Sequence, residues 1–160
     1  MNSSEKLNIS VVIPTYNEVR AIGEVVRGIP RHRVNEVIVV DNGSTDGTAE
    51  QAAAAGARVI HESRQGYGSA CRAGSQAARK SDLIVFLDGD RSDDPAQLER
   101  IADPVIRGQA DLVIGSRISG SLEKGAMPLH AQLGNRMIVL LLRLLYGVRI
   151  TDIGSFRAIR

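Results

Sequence analysis

Two carboxylates separated by one glycine, Asp88-Gly89-Asp90, follow the apolar run Leu83–Leu87. At the end of a strand such a pair suits a hard divalent ion, Mg²⁺ or Mn²⁺, and leaves coordination positions for phosphate oxygens. The glycine between them lets the backbone approach closely. Asp is also a common turn and cap residue, and Asp93 and Asp94 read as ordinary helix-entry residues. Asp41 follows Val37–Val40 in the same manner and opens Asp41-Asn42-Gly43-Ser44-Thr45-Asp46, a turn leading into a helix. Two strand-end carboxylates of this kind could share one nucleotide, one near the metal and one near base or ribose. Pro14-Thr15-Tyr16-Asn17-Glu18 ends another apolar run, and Tyr16 offers a ring and a hydroxyl to a base or, equally, to the edge of the core. Gly115-Ser116-Arg117 ends a further one.

These loops are useful only if the fold gathers them. The apolar runs Ile9–Pro14, Glu36–Asp41, Ala57–Glu62, Asp82–Asp88 and Asp111–Ser116 are rich in Val and Ile and lack period-2 alternation. Buried parallel strands read this way, because helices cover both faces of the sheet. Helix patterns lie between them near residues 18–29, 46–56, 67–80 and 95–108, with another near 130–147. The alternation predicts an α/β fold with a mostly parallel central sheet flanked by helices in a single domain. In such a sheet ligands bind outside the carboxyl ends of the strands, so all four loops would share one rim.

Local signals sharpen the boundaries. Asp94-Pro95-Ala96-Gln97 reads as an N-cap, a Pro at the first helical position and a Gln two further on. Pro104 falls inside the following helix pattern and is expected to kink or break it. Residues 118–128 read as a mobile loop. Gln65-Gly66-Tyr67-Gly68-Ser69 precedes a helix and could bring backbone N–H groups near a phosphate. It is not a dinucleotide fingerprint, which would follow the first strand, and no Walker A sequence occurs. Cys71 reads as buried packing, and His32 and His61 as surface or strand-edge residues. His130 is a weak candidate for contacting an anion.

Composition sets the outer limits. The 160 residues are 43% hydrophobic and 24% charged, which fits a globular domain and excludes a disordered, collagen-like or coiled-coil chain. One cysteine excludes an intramolecular disulfide framework and a multi-cysteine zinc site, and fits a reducing compartment. A net charge of +2 gives no argument for nucleic acid. Its distribution is uneven: residues 81–115 hold eight acids against three Arg, and residues 116–160 hold seven basic residues against two acids. A cation site beside an anion-binding surface would look like this, as would a genome rich in Arg codons. Nothing at the start reads as a signal peptide, and the most apolar stretch, Met137–Tyr146, is too short to span a bilayer. Arg136 and Arg143 are seven residues apart and share a helix face. That helix reads either as interfacial, with its Arg side chains toward headgroups, or, preferably, as a core helix covering the sheet.

Taken together and in order, VVIPTYNE at 11–18, IVVDNGSTD at 38–46 and FLDGD at 86–90 resemble family 2 glycosyltransferases of the GT-A fold. GSR at 115–117 and TDIGSFR at 151–157 narrow the resemblance to polyprenyl-phosphate sugar synthases, of which dolichyl-phosphate mannose synthase is the type. The resemblance implies that Pro14, Tyr16 and Glu18 line the base and ribose with Asp41 beside them. It implies that Asp88 and Asp90 hold Mg²⁺ or Mn²⁺ on the donor diphosphate, that Asp90 and Arg117 serve catalysis, and that Arg117, Ser155 and Arg157 stand near acceptor or phosphate. Relatives often carry Gln as a further metal ligand two residues after the second Asp, where this chain has Ser92, so water is expected there. Relatives also continue beyond the TDIGSFR block, so residues 1–160 are expected to be a catalytic domain truncated at its C-terminal end. The implied reaction is metal-dependent, inverting transfer of a sugar from a UDP- or GDP-sugar to a polyprenyl phosphate. It would be cytoplasmic, peripheral at the inner face of the membrane. The alternatives are a sugar hydroxyl acceptor, with Asp152 as the available base, and a non-catalytic nucleotide-sugar binding domain.

Overall fold

The computed structural model of the protein describes residues 7–116 and 154–160. The predicted helix near 130–147 and loop 118–128 lie outside them, as do Arg117, His130, Arg136, Arg143 and Asp152. The chain forms two compact units, Met1–Val113 with Phe156–Arg160, and Ile114–Ser155. The first carries five strands and four helices in the order β1 (Ile9–Thr15), α1 (Ile22–Gly28), β2 (Glu36–Asp41), α2 (Thr48–Ala54), β3 (Arg58–His61), α3 (Tyr67–Ala77), β4 (Leu83–Phe86), α4 (Leu98–Ile106) and, after β5 (Leu112–Ile114), β6 (Arg157–Ile159). The sheet order is β3-β2-β1-β4-β6-β5. Strands β3, β2, β1 and β4 pair in parallel, and β6 runs antiparallel to β4. This is the expected mixed α/β, mostly parallel architecture.

The lack of alternation in β1 and β2 has the expected cause. Val11, Ile13, Val37, Val39, Leu83 and Val85 point to one face, where Ile22, Val25 and Val26 of α1, Ala52 of α2 and Leu98, Ile101 and Val105 of α4 cover them. Val12, Ile38, Val40 and Phe86 point to the other, under Ala70, Cys71 and Ala78. Helix α3 lies close because Gly74 has no side chain: a Cβ there would sit 2.2 Å from Val12 Cγ1.

Several expectations need correction. The edge strand β3 is not buried on both faces, and Arg58 and His61 at its ends are exposed. Helix α1 starts at Ile22 rather than near 18, because residues 18–21 form a turn in which Ala21 and Ile22 both donate to the Glu18 carbonyl. Pro104 does not break α4, which continues to Ile106. The proline lies in the last turn, where its missing N–H costs the helix one bond near an end. Asp94 caps as expected, accepting from Ala96 N–H at 3.0 Å, with Pro95 opening a 3-10 turn over Pro95–Gln97. Strand β6 was not expected. Among the described residues no helix is long and apolar enough to cross a membrane. In the second unit, the described segments 114–116 and 154–155 meet backbone to backbone: a Cβ on Gly154 would lie 2.4 Å from the Gly115 carbonyl oxygen.

Candidate active site

The loops after β1 and β2 are fastened to each other. Asn17, at φ 58° in the left-handed region that Asn tolerates, donates its N–H to Ser44 Oγ at 3.0 Å. Its side-chain oxygen accepts from Thr45 N–H at 2.9 Å. The buried Thr48 hydroxyl accepts from Glu18 N–H at 2.8 Å and bonds to Asp46, whose carboxylate also takes Thr48 N–H and Val19 N–H. Those bonds, the Thr48 hydroxyl first, hold the Asp46 carboxyl below its ordinary value. Asp46 is therefore a structural cap.

This clamp leaves Tyr16 55% exposed at the mouth of a cavity of about 370 Å³. Pro14, Thr15 and Tyr16 contribute one group of lining residues, and Gln65, Gly66, Tyr67 and Ala70 the other. Asn42 lines it too and joins the groups: its N–H donates to the Thr15 carbonyl at 3.0 Å, its side-chain oxygen accepts from Gly66 N–H at 2.7 Å, and its amide donates to the Glu62 and Arg64 carbonyls. The 65–69 segment thus reaches the rim, but the Gly66 N–H already serves Asn42. Asp41 is buried beside the cavity lining. Its two oxygens accept from Ser44 N–H at 3.2 Å and face His61 Nδ1 at 3.1 Å.

The Asp88-Gly89-Asp90 turn lies against the end of β1. A Cβ on Gly89 would fall 2.7 Å from Thr15 Cγ2, so the close approach anticipated for this glycine is real. The turn is fixed from both sides: Asp88 N–H donates to Asp93 Oδ2 at 3.3 Å, and Asp90 Oδ1 accepts from Ser92 N–H at 2.8 Å. Arg91 takes a left-handed φ of 69° and pairs with Glu24. Asp93 is buried and braces the carboxylate turn rather than opening a helix. Glu18 feels this site directly. Burial raises its carboxyl above the ordinary value, and the charges of Asp90, Asp46 and Asp88 raise it further. The charges of three carboxylates on two other loops thus act on Glu18, an effect that a cation beside Asp88 and Asp90 would offset.

Arg157 in β6 stands opposite Phe86 in the strand register, with its guanidinium carbon 5.0 Å from the centre of the Phe86 ring. It does not line the cavity. Ser155 belongs to the second unit. The structure thus assembles Pro14, Tyr16, Glu18, Asp41, Asp88 and Asp90 along one rim. Sequence reasoning missed Asn42, Gln65 and Tyr67 as lining residues, His61 as the partner of Asp41, and Asp93 as a brace. The Gly-x-Gly pattern around Tyr67 was the available signal for the second wall.

Residues 10–160 match the model of glycosyl transferase family 2. This chain belongs to that family. It is 34% identical over 147 residues to glycosyltransferase AglJ of Haloferax volcanii, covering 92% of this chain and 48% of that one. It is 30% identical over 164 residues to a UDP-N-acetylglucosamine–dolichyl-phosphate N-acetylglucosaminyltransferase of Methanococcus voltae, covering 90% and 65%. Among solved structures it is similar to glucosyl-3-phosphoglycerate synthase of Mycobacterium tuberculosis in complex with Mn²⁺, UDP-glucose and phosphoglyceric acid. There the TM-score is 0.74 at 29% identity, covering 96% of this chain and 56% of the other. The chain spans about half to two thirds of the length of these three proteins.

Proposed function

We propose that residues 1–160 form a family 2 catalytic domain that transfers a sugar from a UDP- or GDP-sugar to a polyprenyl phosphate with inversion. The observation that carries this reading is an uncharged, tyrosine-lined cavity whose lining residue Thr15 is also the seat of Gly89, between the carboxylates Asp88 and Asp90. A neutral cavity suits a nucleoside, and the acidic edge suits the cation that accompanies its diphosphate.

The residues present fit Mg²⁺ or Mn²⁺. Asp88 and Asp90 are hard oxygen donors on a turn that Gly89 allows to press against β1. Among the described residues no three or more His, Cys, Asp or Glu side chains are grouped to hold a metal, so the pair suits an ion that also takes diphosphate oxygens. When bound, the ion supplies Lewis-acid neutralisation of the charge developing on the leaving diphosphate. Pro14 and Tyr16 hold the nucleoside, with Asp41 beside them, and Asp88 and Asp90 fix the diphosphate end. Arg117 and Ser155 serve the acceptor phosphate. That phosphate is anionic near neutrality, with a second pKa of about 6 by analogy with phosphoamino acids, so no general base is required. The relative named for dolichyl phosphate supports the lipid acceptor, and with it peripheral work at a membrane surface. The neighbour solved with phosphoglyceric acid supports a second reading, a small phosphorylated acceptor whose hydroxyl attacks the donor sugar as the nucleoside diphosphate leaves.

Calorimetry with UDP and GDP, with and without Mn²⁺, tests the site. The expected result is metal-dependent binding that Asp90→Ala abolishes. Equal metal-dependent affinity in the variant would overturn the reading. Transfer assays offering polyprenyl phosphate and phosphoglycerate side by side decide the acceptor.

A further inference from the structure

The two faces of the sheet are covered by helices of different charge. Helices α1, α2 and α4 cover one face, and basic residues around α1 and α4 sit among acids: Arg33 pairs with Glu99 and Asp103, Arg107 with Asp103, and Arg91 with Glu24. Helix α3 covers the other face. From Ser63 to Ser81, through α3 and the loops at both its ends, the chain holds Arg64, Arg72, Arg79 and Lys80 and no acid. All four are exposed, and none pairs with an acid among the described residues. The acids that bound this stretch, Glu62 and Asp82, accept from the backbone N–H groups of Arg64 and Asn8. Within α3, Arg72 and Gln76 lie on the side opposite Ala70, Cys71 and Gly74, which are buried against the sheet.

We propose that this unpaired basic side of α3 is the surface by which the protein docks on an anionic lipid bilayer. The charges are spread along a helix of 11 residues, about 16 Å long, and its two flanks, which suits a broad layer of headgroups. The outer side of α3 carries Ser69, Arg72, Ser75 and Gln76 and no large apolar side chain, so the contact is electrostatic rather than inserted. Tyr67, at the amino end of the helix, is 47% exposed, and a ring that ends in a hydroxyl suits the headgroup layer. Tyr67 also lines the cavity, so docking on this side sets the cavity mouth at headgroup level, where a lipid-borne phosphate lies. The proposal deepens the lipid-acceptor reading above and rests on it for its purpose, but its measurement needs neither sugar donor nor acceptor.

The test is sedimentation with vesicles of phosphatidylcholine alone and of equimolar phosphatidylcholine and phosphatidylglycerol, at low and high salt. The protein is expected on the anionic vesicles only, and less at high salt because exposed charges are screened. Arg64→Gln, Arg72→Gln, Arg79→Gln and Lys80→Gln should each weaken binding about fivefold, the usual effect of one basic residue at an anionic surface. The Arg72→Gln, Arg79→Gln double variant should lose about 25-fold, the product of two such losses, and keep its Mn²⁺-dependent nucleotide affinity. Arg27→Gln with Arg100→Gln removes the same charge from α1 and α4 and should lose less than about twofold. Equal losses in the two double variants would overturn the proposal, since net charge rather than this side of α3 would then drive binding. A wild-type protein that binds UDP or GDP but no anionic vesicle would overturn it too and leave the nucleotide reading standing. Tighter binding to a DNA duplex than to the vesicles, lost in the Arg72→Gln, Arg79→Gln variant, would reassign the surface to nucleic acid. Vesicle binding as expected, in a protein that transfers no sugar to polyprenyl phosphate, would uphold the surface and overturn the lipid acceptor alone.

Discussion

The two ends of the parallel sheet are built from similar residues arranged to opposite effect. At the amino end, Glu36 accepts from the fully buried Ser10 hydroxyl at 2.9 Å and pairs with Arg58 at 3.2 Å. Asp82 accepts from Asn8 N–H, and Asn35 from Ile9 N–H. Glu36 and Asp82 each have a complementary partner there. At the carboxyl end, burial first and then the charges of Asp90, Asp46 and Asp88 raise the Glu18 carboxyl, and Asn17 and Arg91 take left-handed backbone conformations. Satisfied polar groups tie strands together; gathered like charges and strained loops are tolerated where a ligand will compensate them. The contrast locates the working end without reference to any relative.

The strongest way to break the contrast is Gly89→Ala. The added Cβ meets Thr15 Cγ2 at 2.7 Å, and Thr15 cannot yield easily because it is buried and its hydroxyl donates to the Val40 carbonyl at 3.1 Å. Overpacking of this kind costs about 1–3 kcal/mol. Displacing the turn should also lower Mn²⁺-dependent nucleotide affinity at least about tenfold, the equivalent of roughly 1.4 kcal/mol. Urea unfolding and calorimetry read the two effects. Unchanged values in both would mean that the turn does not need its close seat on β1.

A smaller effect is expected at the other end. Glu36→Ala removes a partner of Ser10 and of Arg58 and should cost about 1 kcal/mol in urea unfolding, the usual value of one intramolecular hydrogen bond. Nucleotide affinity should not change. A loss of binding in this variant would show that the two ends are not separable.

What the sequence disclosed follows the same division. Strands β1 and β2 were legible to within a residue because burial on both faces leaves an uninterrupted apolar run. The carboxylates were legible because they interrupt those runs at their ends. Strand β6 was not, since Arg157–Ile159 has three residues and no periodicity of its own, and its state is set by pairing with β4. Asp93 looked like any turn acid, because its bond to the Asp88 N–H depends on the path of the loop between them. The pairing of His61 with Asp41 joins residues 20 apart that become neighbours only through the β2–β3 register. Residues 65–69 were read for backbone N–H groups that could approach a phosphate, and that reading gave the Tyr67 ring no part in the cavity it lines.

The smallest expected effect tests the electrostatic half of the contrast. Glu18 has a folded pKa above its ordinary value of 4.5, with burial the first cause and Asp90, Asp46 and Asp88 following. Below pH 4.5 the carboxyl is protonated in both folded and unfolded chains and does not affect stability. As pH rises past 4.5 the unfolded chain releases the proton more readily than the folded one, so the unfolded state gains. The cost grows until pH passes the folded value and then stays constant. Glu18→Gln removes it. In metal-free buffer the variant should therefore be more stable than the wild type at pH 7, by less than about 1 kcal/mol because solvent screens a group so near the surface. The two should converge as pH falls below 4.5. Adding Mn²⁺ should narrow the difference from the other side, since a cation beside Asp88 and Asp90 offsets the repulsion that Glu18 feels. Thermal unfolding across pH, with and without Mn²⁺, measures all three. A Glu18→Gln variant less stable than wild type at pH 7 would mean that Glu18 has a favourable partner there, and the carboxyl rim would then differ from the amino end in position only.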